Sequence, residues 1–526
     1  MSDERRMSAR LSALVILAGA IAAGLVVDAA DDDTPPRAGV VVDAGVAIPA
    51  ARPDPTLSST WYCAGGTATE DGFGDHVLLV ENPGDERRAV TITPLSGEIA
   101  AAPALVEEGS TSTSTTAPST TSTAPADAPE PAQVEVDAKS RITFFLRDIV
   151  DAPLAGAIVE VEGGEIAVEH EIRGSLGRAT APCATTAAPT WSFPWGVTSR
   201  GDRELLVFMN PFPDDASVDI AFATDEGVRD TSRFTGFIVP GRSVVGAYVD
   251  EDVTRKEQVS AKVTVRGGRR VVVDRIQTFS GVDGREGMTL GLGAPTAALT
   301  WLFPDGLVGE GLQEQIVVYN PGDRVAEVEV EVRHDDPETN GTPEPFELTV
   351  APERYSIVHL HEEDRITSGV GHSTVVRSLN GVPVVAERAV AAGEGAERKG
   401  VAATLGAPLA APQWYLPGGG VSDDRDEFVT ILNASIGESV TYSVLALANG
   451  QELAIQGLQD VELAPGARVS IRLADHVERE ELPLVVIATR AIVVERGLYR
   501  VGGDGMSQSM GIPLASDVVV PSPIEG

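Results

Sequence analysis

Two cysteines, seven histidines and a few carboxylate clusters are the side chains with which this sequence could do chemistry. Cys63 and Cys183 are the only thiols, too few for a closed zinc site. The histidines stand at 76, 170, 334, 359, 361, 372 and 476. His359 and His361 are two apart on a predicted strand, which puts both rings on one side, and Glu362, Glu363 and Asp364 follow at once. Imidazoles so placed could share a metal, but one strand supplies two ligands at most and no second cluster is evident. Asp423, Asp424, Asp426 and Glu427 lack the spaced ligands and the glycine of a calcium loop, so a solvated turn is the expectation. There is no G-x-S-x-G elbow, no glycine-rich phosphate loop with lysine and no H-E-x-x-H. The sequence therefore predicts no catalytic residue, no metal site and no cofactor.

One further constellation recurs. An acidic residue followed by a basic one appears four times, as Glu169-His170, Asp274-Arg275, Glu387-Arg388 and Glu495-Arg496. Neighbours on a strand point to opposite faces, so these pairs cannot converge as catalytic carboxylates do, and fourfold recurrence at one place argues for a structural role.

The elements that carry these residues repeat as well. Trp61, Trp191, Trp301 and Trp414 open four similar segments, the last three reading W-S-F-P-W-G, W-L-F-P-D-G and W-Y-L-P-G-G. Each is followed by an apolar strand ending in Asn82, Asn210, Asn320 or Asn433, nineteen residues after its Trp in the last three copies and twenty-one in the first. Asn followed by Pro-Gly suits a turn, since Asn tolerates left-handed backbone. Each copy closes with a small-residue turn and a proline, Pro182, Pro295, Pro408 or Pro513. Runs such as V-A-E-V-E-V-E-V-R (325–333) alternate apolar and polar with the period of a half-buried strand, and helical periodicity is nearly absent. About seven short strands per copy predict an all-β chain of four tandem immunoglobulin-like β-sandwich units, at 59–189, 190–299, 300–412 and 413–526, arranged as a rod or array. A Ser/Thr/Pro tract at 109–131 is inserted in the first. The repeat sets Cys63 beside the opening Trp and Cys183 beside the closing Pro of that unit, which favours a disulfide clasp stabilising it by roughly 4 to 5 kcal/mol.

Ahead of the repeats, Arg5, Arg6 and Arg10 precede an apolar run, and Asp28, Asp31, Asp32 and Asp33 follow it. Residues 1–10 then read as a cytoplasmic tail, 11–29 as a transmembrane anchor or signal segment with the chain outside, and 30–58 as a flexible stalk. The chain of 526 residues exceeds what one core can organise, and its formal charge of −38 repels phosphate backbones, which argues against nucleic acid as partner.

The N-terminal anchor, the W-x-F-P-x-G starts, the Asn-Pro-Gly turns and the Glu-Arg pairs resemble a family of actinobacterial membrane-anchored proteins of unknown function, over roughly residues 60–520. The resemblance implies location and domain type and assigns no activity. The expectation is a single-pass cell-membrane protein, extracytoplasmic beyond its anchor, that acts without catalysis as a cell-envelope scaffold or interaction array for wall polymers or envelope proteins. A glycan-binding adhesin using Trp195, Tyr62 and Tyr415 is one alternative, and an envelope enzyme accessory is another.

Overall fold

Alternation of apolar and polar residues decides the local structure. Ala326–His334 folds as a strand in which alternate residues are buried under one face and the glutamates between them reach toward water. The same pattern recurs among the described residues, where the helices that lie wholly within them are single turns such as Pro337–Asn340. The structure is a computed structural model describing residues 47–53, 56–100, 129–281, 284–503 and 505–520. The segment at 11–29, the stalk up to residue 46 and most of the insertion at 109–131 lie outside the described residues. Among the described residues no helix is long and apolar enough to cross a membrane.

The strands recur in four sets. In the first, β1 (Ser58–Cys63), β6 (Leu154–Glu162), β3 (Arg88–Ile99) and β4 (Ala132–Val136) pair side by side in that order. A second sheet runs β5 (Ser140–Phe145), β2 (Asp75–Asn82), β7 (Ala167–Gly174), β8 (Gly177–Pro182). Residues of both sheets, among them Trp61, Leu78, Ile92, Val159 and Val168, share one core. The order returns in the second set as β9 (Thr190–Phe193), β14 (Ser260–Val265), β11 (Ala216–Thr224), β12 (Gly227–Val239) and as β13 (Ser243–Tyr248), β10 (Arg203–Asn210), β15 (Val272–Ser280), β16 (Glu286–Leu292). It returns in the third as β17 (Thr300–Phe303), β22 (His372–Ser378), β19 (Ala326–His334), β20 (Phe346–Val350) and as β21 (Tyr355–His359), β18 (Leu312–Tyr319), β23 (Val385–Ala392), β24 (Gly400–Leu405).

The fourth set fuses its two sheets. One strand, β31 (Leu484–Arg500), pairs through its first half with β25 (Ala411–Leu416) and β27 (Val440–Ala448), and through its second half with β26 (Arg425–Asn433) and β32 (Met506–Met510).

Two features depart from the sequence reading. Each of the first three sets has eight strands, not seven, because the small-residue stretch before each closing proline is a strand and not a turn. These are β8, β16 and β24, with β32 as their counterpart. They pack on one another in cyclic order, β8 on β16, β16 on β24, β24 on β32 and β32 back on β8. Only small side chains allow such close approach at the centre. Gly400 shows the demand, for its backbone φ is +132° and an added Cβ would lie 2.8 Å from the amide nitrogen of Met506.

The second departure follows from the first. The four sets do not extend as a rod, because the fourth returns to the first and closes a ring. Near that closure, Ala51 bridges Leu514, and the core of the first set takes in Tyr415, Val485 and Ile512 of the fourth. Between the first and second sets, β3 and β13 pair in parallel and make one continuous sheet.

Candidate functional site

The repeated acid-base pairs turn out to be the joints of this ring. Neighbours on a strand face opposite ways, so each acidic residue meets the preceding set while the basic residue beside it meets the following one. Arg496 of the fourth set places Nη2 2.9 Å from both carboxylate oxygens of Glu169 in the first. Arg275 of the second holds Glu387 of the third through two nitrogens, at 2.5 and 3.1 Å. Arg388 of the third reaches Glu495 of the fourth at 2.5 Å. All six side chains are 4% exposed or less. Each carboxylate also accepts a backbone N–H from the set that supplies its arginine, from Gly418, Trp195 and Asp305 respectively. Buried carboxylates so satisfied are held in one place, which fixes the order and register of the sets.

The remaining joint has the same plan in a neutral form. Asp274 accepts the backbone N–H of Ala64 and lies 3.5 Å from Nε2 of His170. His76 donates from Nδ1 to the Ala155 carbonyl, which leaves its Nε2 to accept the Nδ1 proton of His170 at 3.0 Å. Burial lowers His76 to about 4 and, helped by His76, holds His170 well below its ordinary value. Burial pushes Asp274 up to about 8 against the pull of the backbone N–H groups. At neutral pH the proton of this joint therefore sits on the carboxyl and both rings are uncharged.

Beside each joint lies a residue that sequence reasoning missed. Six positions before the repeated Asn stand His76, Glu204, Glu314 and Glu427, all buried. Glu314 Oε1 lies 3.9 Å from Arg388, and its Oε2 lies 3.4 Å from His372. Burial raises Glu427 to about 7, with Arg496 opposing. Glu204 is raised by burial to about 8, again with its joint arginine, Arg275, opposing. The signal was available, because aligning the strands on their Asn places an acidic residue or His in every copy.

The repeat markers are structural. Trp61, Trp191, Trp301 and Trp414 are at most 1% exposed. The last three donate their indole N–H to Val271, Val384 and Ile492, three residues ahead of the joint acid in each case. Each repeated Asn is fully buried and works through its side chain: Asn320 donates to Arg324 and Val350 and accepts from Gly322, and Asn82, Asn210 and Asn433 make the matching bonds. None of the four has positive φ, so Asn is present for its amide and not for left-handed backbone.

Cys63 and Cys183 form a disulfide, tying β1 to the end of β8. Such bonds form in oxidising compartments, which points to a location outside the cytoplasm. His359 and His361 share an edge-on ring contact at 5.8 Å beside the cleft between the second and third sets, and His361 Nδ1 bonds the Glu314 carbonyl. Asp424, Asp426 and Glu427 turn to separate partners, Ser422, Arg472 and Gly420. Among the described residues no group of three or more ligating side chains could hold a metal ion. Trp195 and Tyr415 are buried and Tyr62 is half-buried, which counts against a sugar-stacking face built from them.

The model of a family of unknown function (DUF5719) matches residues 165–396. Sixteen chains of known structure match. Thermotoga maritima 1070 is 23% identical over 21% of this chain and 95% of its own, with a TM-score of 0.19. The Anabaena sensory rhodopsin transducer is 23% identical over 18% of this chain and 83% of its own, with a TM-score of 0.15. No curated protein matches the sequence.

Proposed function

We propose that the chain is an exported, membrane-anchored protein of the actinobacterial cell envelope, and that it acts without catalysis as a rigid platform of four immunoglobulin-like β-sandwich units closed into a ring. The observation that carries this reading is the closure itself. The charged side chains most able to do chemistry are spent on neighbouring sets at 4% exposure or less, where no substrate reaches them. What remains available is the outer surface and the clefts between sets. The disulfide supports export, and the charge asymmetry around 11–29 supports an anchor with the ring outside. The partners are wall polymers or other envelope proteins, met on surfaces that the closed ring holds in fixed relation.

Labelling of intact producing cells with a membrane-impermeant biotin reagent, followed by fractionation, tests this. The chain is expected in the membrane fraction, labelled from outside and with Cys63 and Cys183 oxidised. Recovery in the soluble cytoplasmic fraction, unlabelled and with both thiols reduced, would overturn it.

A further inference from the structure

Between the first and fourth sets lies a cleft of about 470 Å³ whose charge is opposite to that of the protein as a whole. Its walls carry four arginines, Arg173, Arg178, Arg425 and Arg500, against two carboxylates, Glu171 and Asp424. The arginines come as two cross-strand pairs. Arg173 on β7 is directly opposite Arg178 on β8, and Arg425 on β26 is directly opposite Arg500 on β31. Like charges placed directly opposite each other destabilise a sheet, so two such pairs in one cleft oppose folding unless something else compensates them.

The carboxylates present do so only in part: the Ser422 hydroxyl, then Arg425 and Arg178, hold the Asp424 carboxyl below its ordinary value. Glu171 is engaged by Arg173 at 3.0 Å through both oxygens and lies 3.7 Å from Arg178, and Asp424 accepts the Ser422 hydroxyl at 2.6 Å. Among the described residues neither Arg425 nor Arg500 has an ion-pair partner. Burial above all holds the Arg178 guanidinium below its ordinary value, with Glu171 opposing, Arg425 and Arg173 adding to the fall and Asp424 opposing more weakly.

We infer that this cleft binds a phosphate-bearing ligand, clasped between the two facing arginine pairs. A planar guanidinium matches two phosphate oxygens at once, and pairs on facing walls address opposite sides of one tetrahedral group. Two lining glycines let the walls approach closely, an added Cβ on Gly177 lying 3.7 Å from the Gly505 Cα. The formal charge of −38 repels anions from most other surfaces, which makes this cleft the place where an anion is held. The inference rests on the platform reading only for where the ligand comes from.

Calorimetric titration of the full chain in mild detergent, with inorganic phosphate, a hexose 1-phosphate and glycerophosphoglycerol as probes, tests it at ionic strength near ~20 mM, where screening is weak. At least one probe is expected to bind, with affinity falling steeply as salt rises. The probe that binds tightest names the source: free phosphate, a sugar phosphate or a lipid headgroup. The double variant R425Q/R500Q should weaken binding by about tenfold or more, while R269Q, which alters an exposed arginine of the second set, should not. Without ligand, R425Q/R500Q should melt no lower than wild type, because a repulsion has been removed. No binding by any of the three probes would overturn the inference, as would unchanged affinity in R425Q/R500Q. A clear fall in the ligand-free melting temperature of that variant would assign the arginines to folding instead and would equally overturn it. Because binding is read on purified protein and export by surface labelling of cells, failure of one is distinguishable from failure of the other.

Discussion

Substitution of Arg496 by methionine probes ring closure most directly. Arg496 Nη2 is 2.9 Å from both oxygens of Glu169, and both side chains are fully buried. Two unit charges about 4 Å apart attract by about 4 kcal/mol at an effective dielectric constant near 20, an attraction that desolvation largely offsets while both partners are present. Removing one partner exposes the uncompensated cost, about 3–5 kcal/mol. R496M should lie toward the upper end of that range, because it strands two carboxylates: Glu169, and Glu427, which Arg496 alone of the two joint residues holds down. E169Q should cost less, since Arg496 keeps Glu427 as a counter-charge. The gap between the variants should widen from pH 6 to pH 8, because Glu427, already raised to about 7, is relieved by a proton at the lower pH and not at the higher. Urea denaturation of the two variants at both pH values gives the free energies. Hydrogen exchange then locates the damage, with faster exchange expected in β8 and β32 and little change in β16 and β24. A loss below about 1 kcal/mol for R496M, or equal loosening of all four central strands, would refute the claim that this pair closes the ring.

Four further outcomes follow from individual sites. Glu204 has a folded value of about 8 against 4.5 when free, so the folded state holds the extra proton between those values and stability falls as pH rises through them; E204Q removes that slope and should gain on wild type by about 1 kcal/mol per pH unit across the window, measured by thermal melts at stepped pH. His76 acts in the opposite sense, for its folded value of about 4 lies below 6.5 and its contribution is lost as pH falls between them, so below pH 6.5 it offsets the Glu204 slope, which should stand out only above that pH. Replacing both Cys63 and Cys183 by alanine opens a loop with a sequence separation of 120 and should cost about 4–5 kcal/mol, read from urea midpoints with and without reductant on wild type as the parallel control. Gly97 lies where β3 meets β13, and an added Cβ would stand 1.8 Å from the Val244 carbonyl oxygen; G97A should break that parallel pairing and raise exchange at Val244–Gly246, whereas G381A, with open space around it, should cost only about 1 kcal/mol.

Much of this architecture is written locally in the sequence and part of it is not. The recurring Trp and Asn are legible because each works within its own set, the Trp bonding a carbonyl about eighty residues on and the Asn tying a turn to a nearby strand. The disulfide is legible because the repeat frames both cysteines. The strands β8, β16, β24 and β32 read instead as turns, since their glycine, alanine and serine interrupt the apolar alternation, and what makes them strands is antiparallel pairing with β7, β15, β23 and β31. Ring closure is least legible of all. Glu169 and Arg496 are 327 residues apart, and what the sequence displays is each beside its own strand neighbour, His170 and Glu495, which are not their partners.

The joint between the first and second sets shows why the four need not be chemically equal. There the charged pair gives way to His170 and a protonated Asp274, an arrangement with little Coulomb attraction to contribute. It is also the only joint across which a sheet runs on, through β3 and β13, among the described residues. Backbone hydrogen bonds already fix register there, so an ion pair has no register left to set. The opposite holds at the fourth joint. Among the described residues no sheet crosses between β8 and β32 in hydrogen-bonded pairing, the chain supplies no connection, and beyond the Ala51–Leu514 backbone bridge orientation rests on side-chain bonds: Arg496 on Glu169, Thr180 N–H on the Ser507 hydroxyl, and Lys139 on Glu452 at 2.6 Å. Where no sheet runs on, buried charge and shared apolar packing hold the register, and the arginine-lined cleft lies at that same boundary.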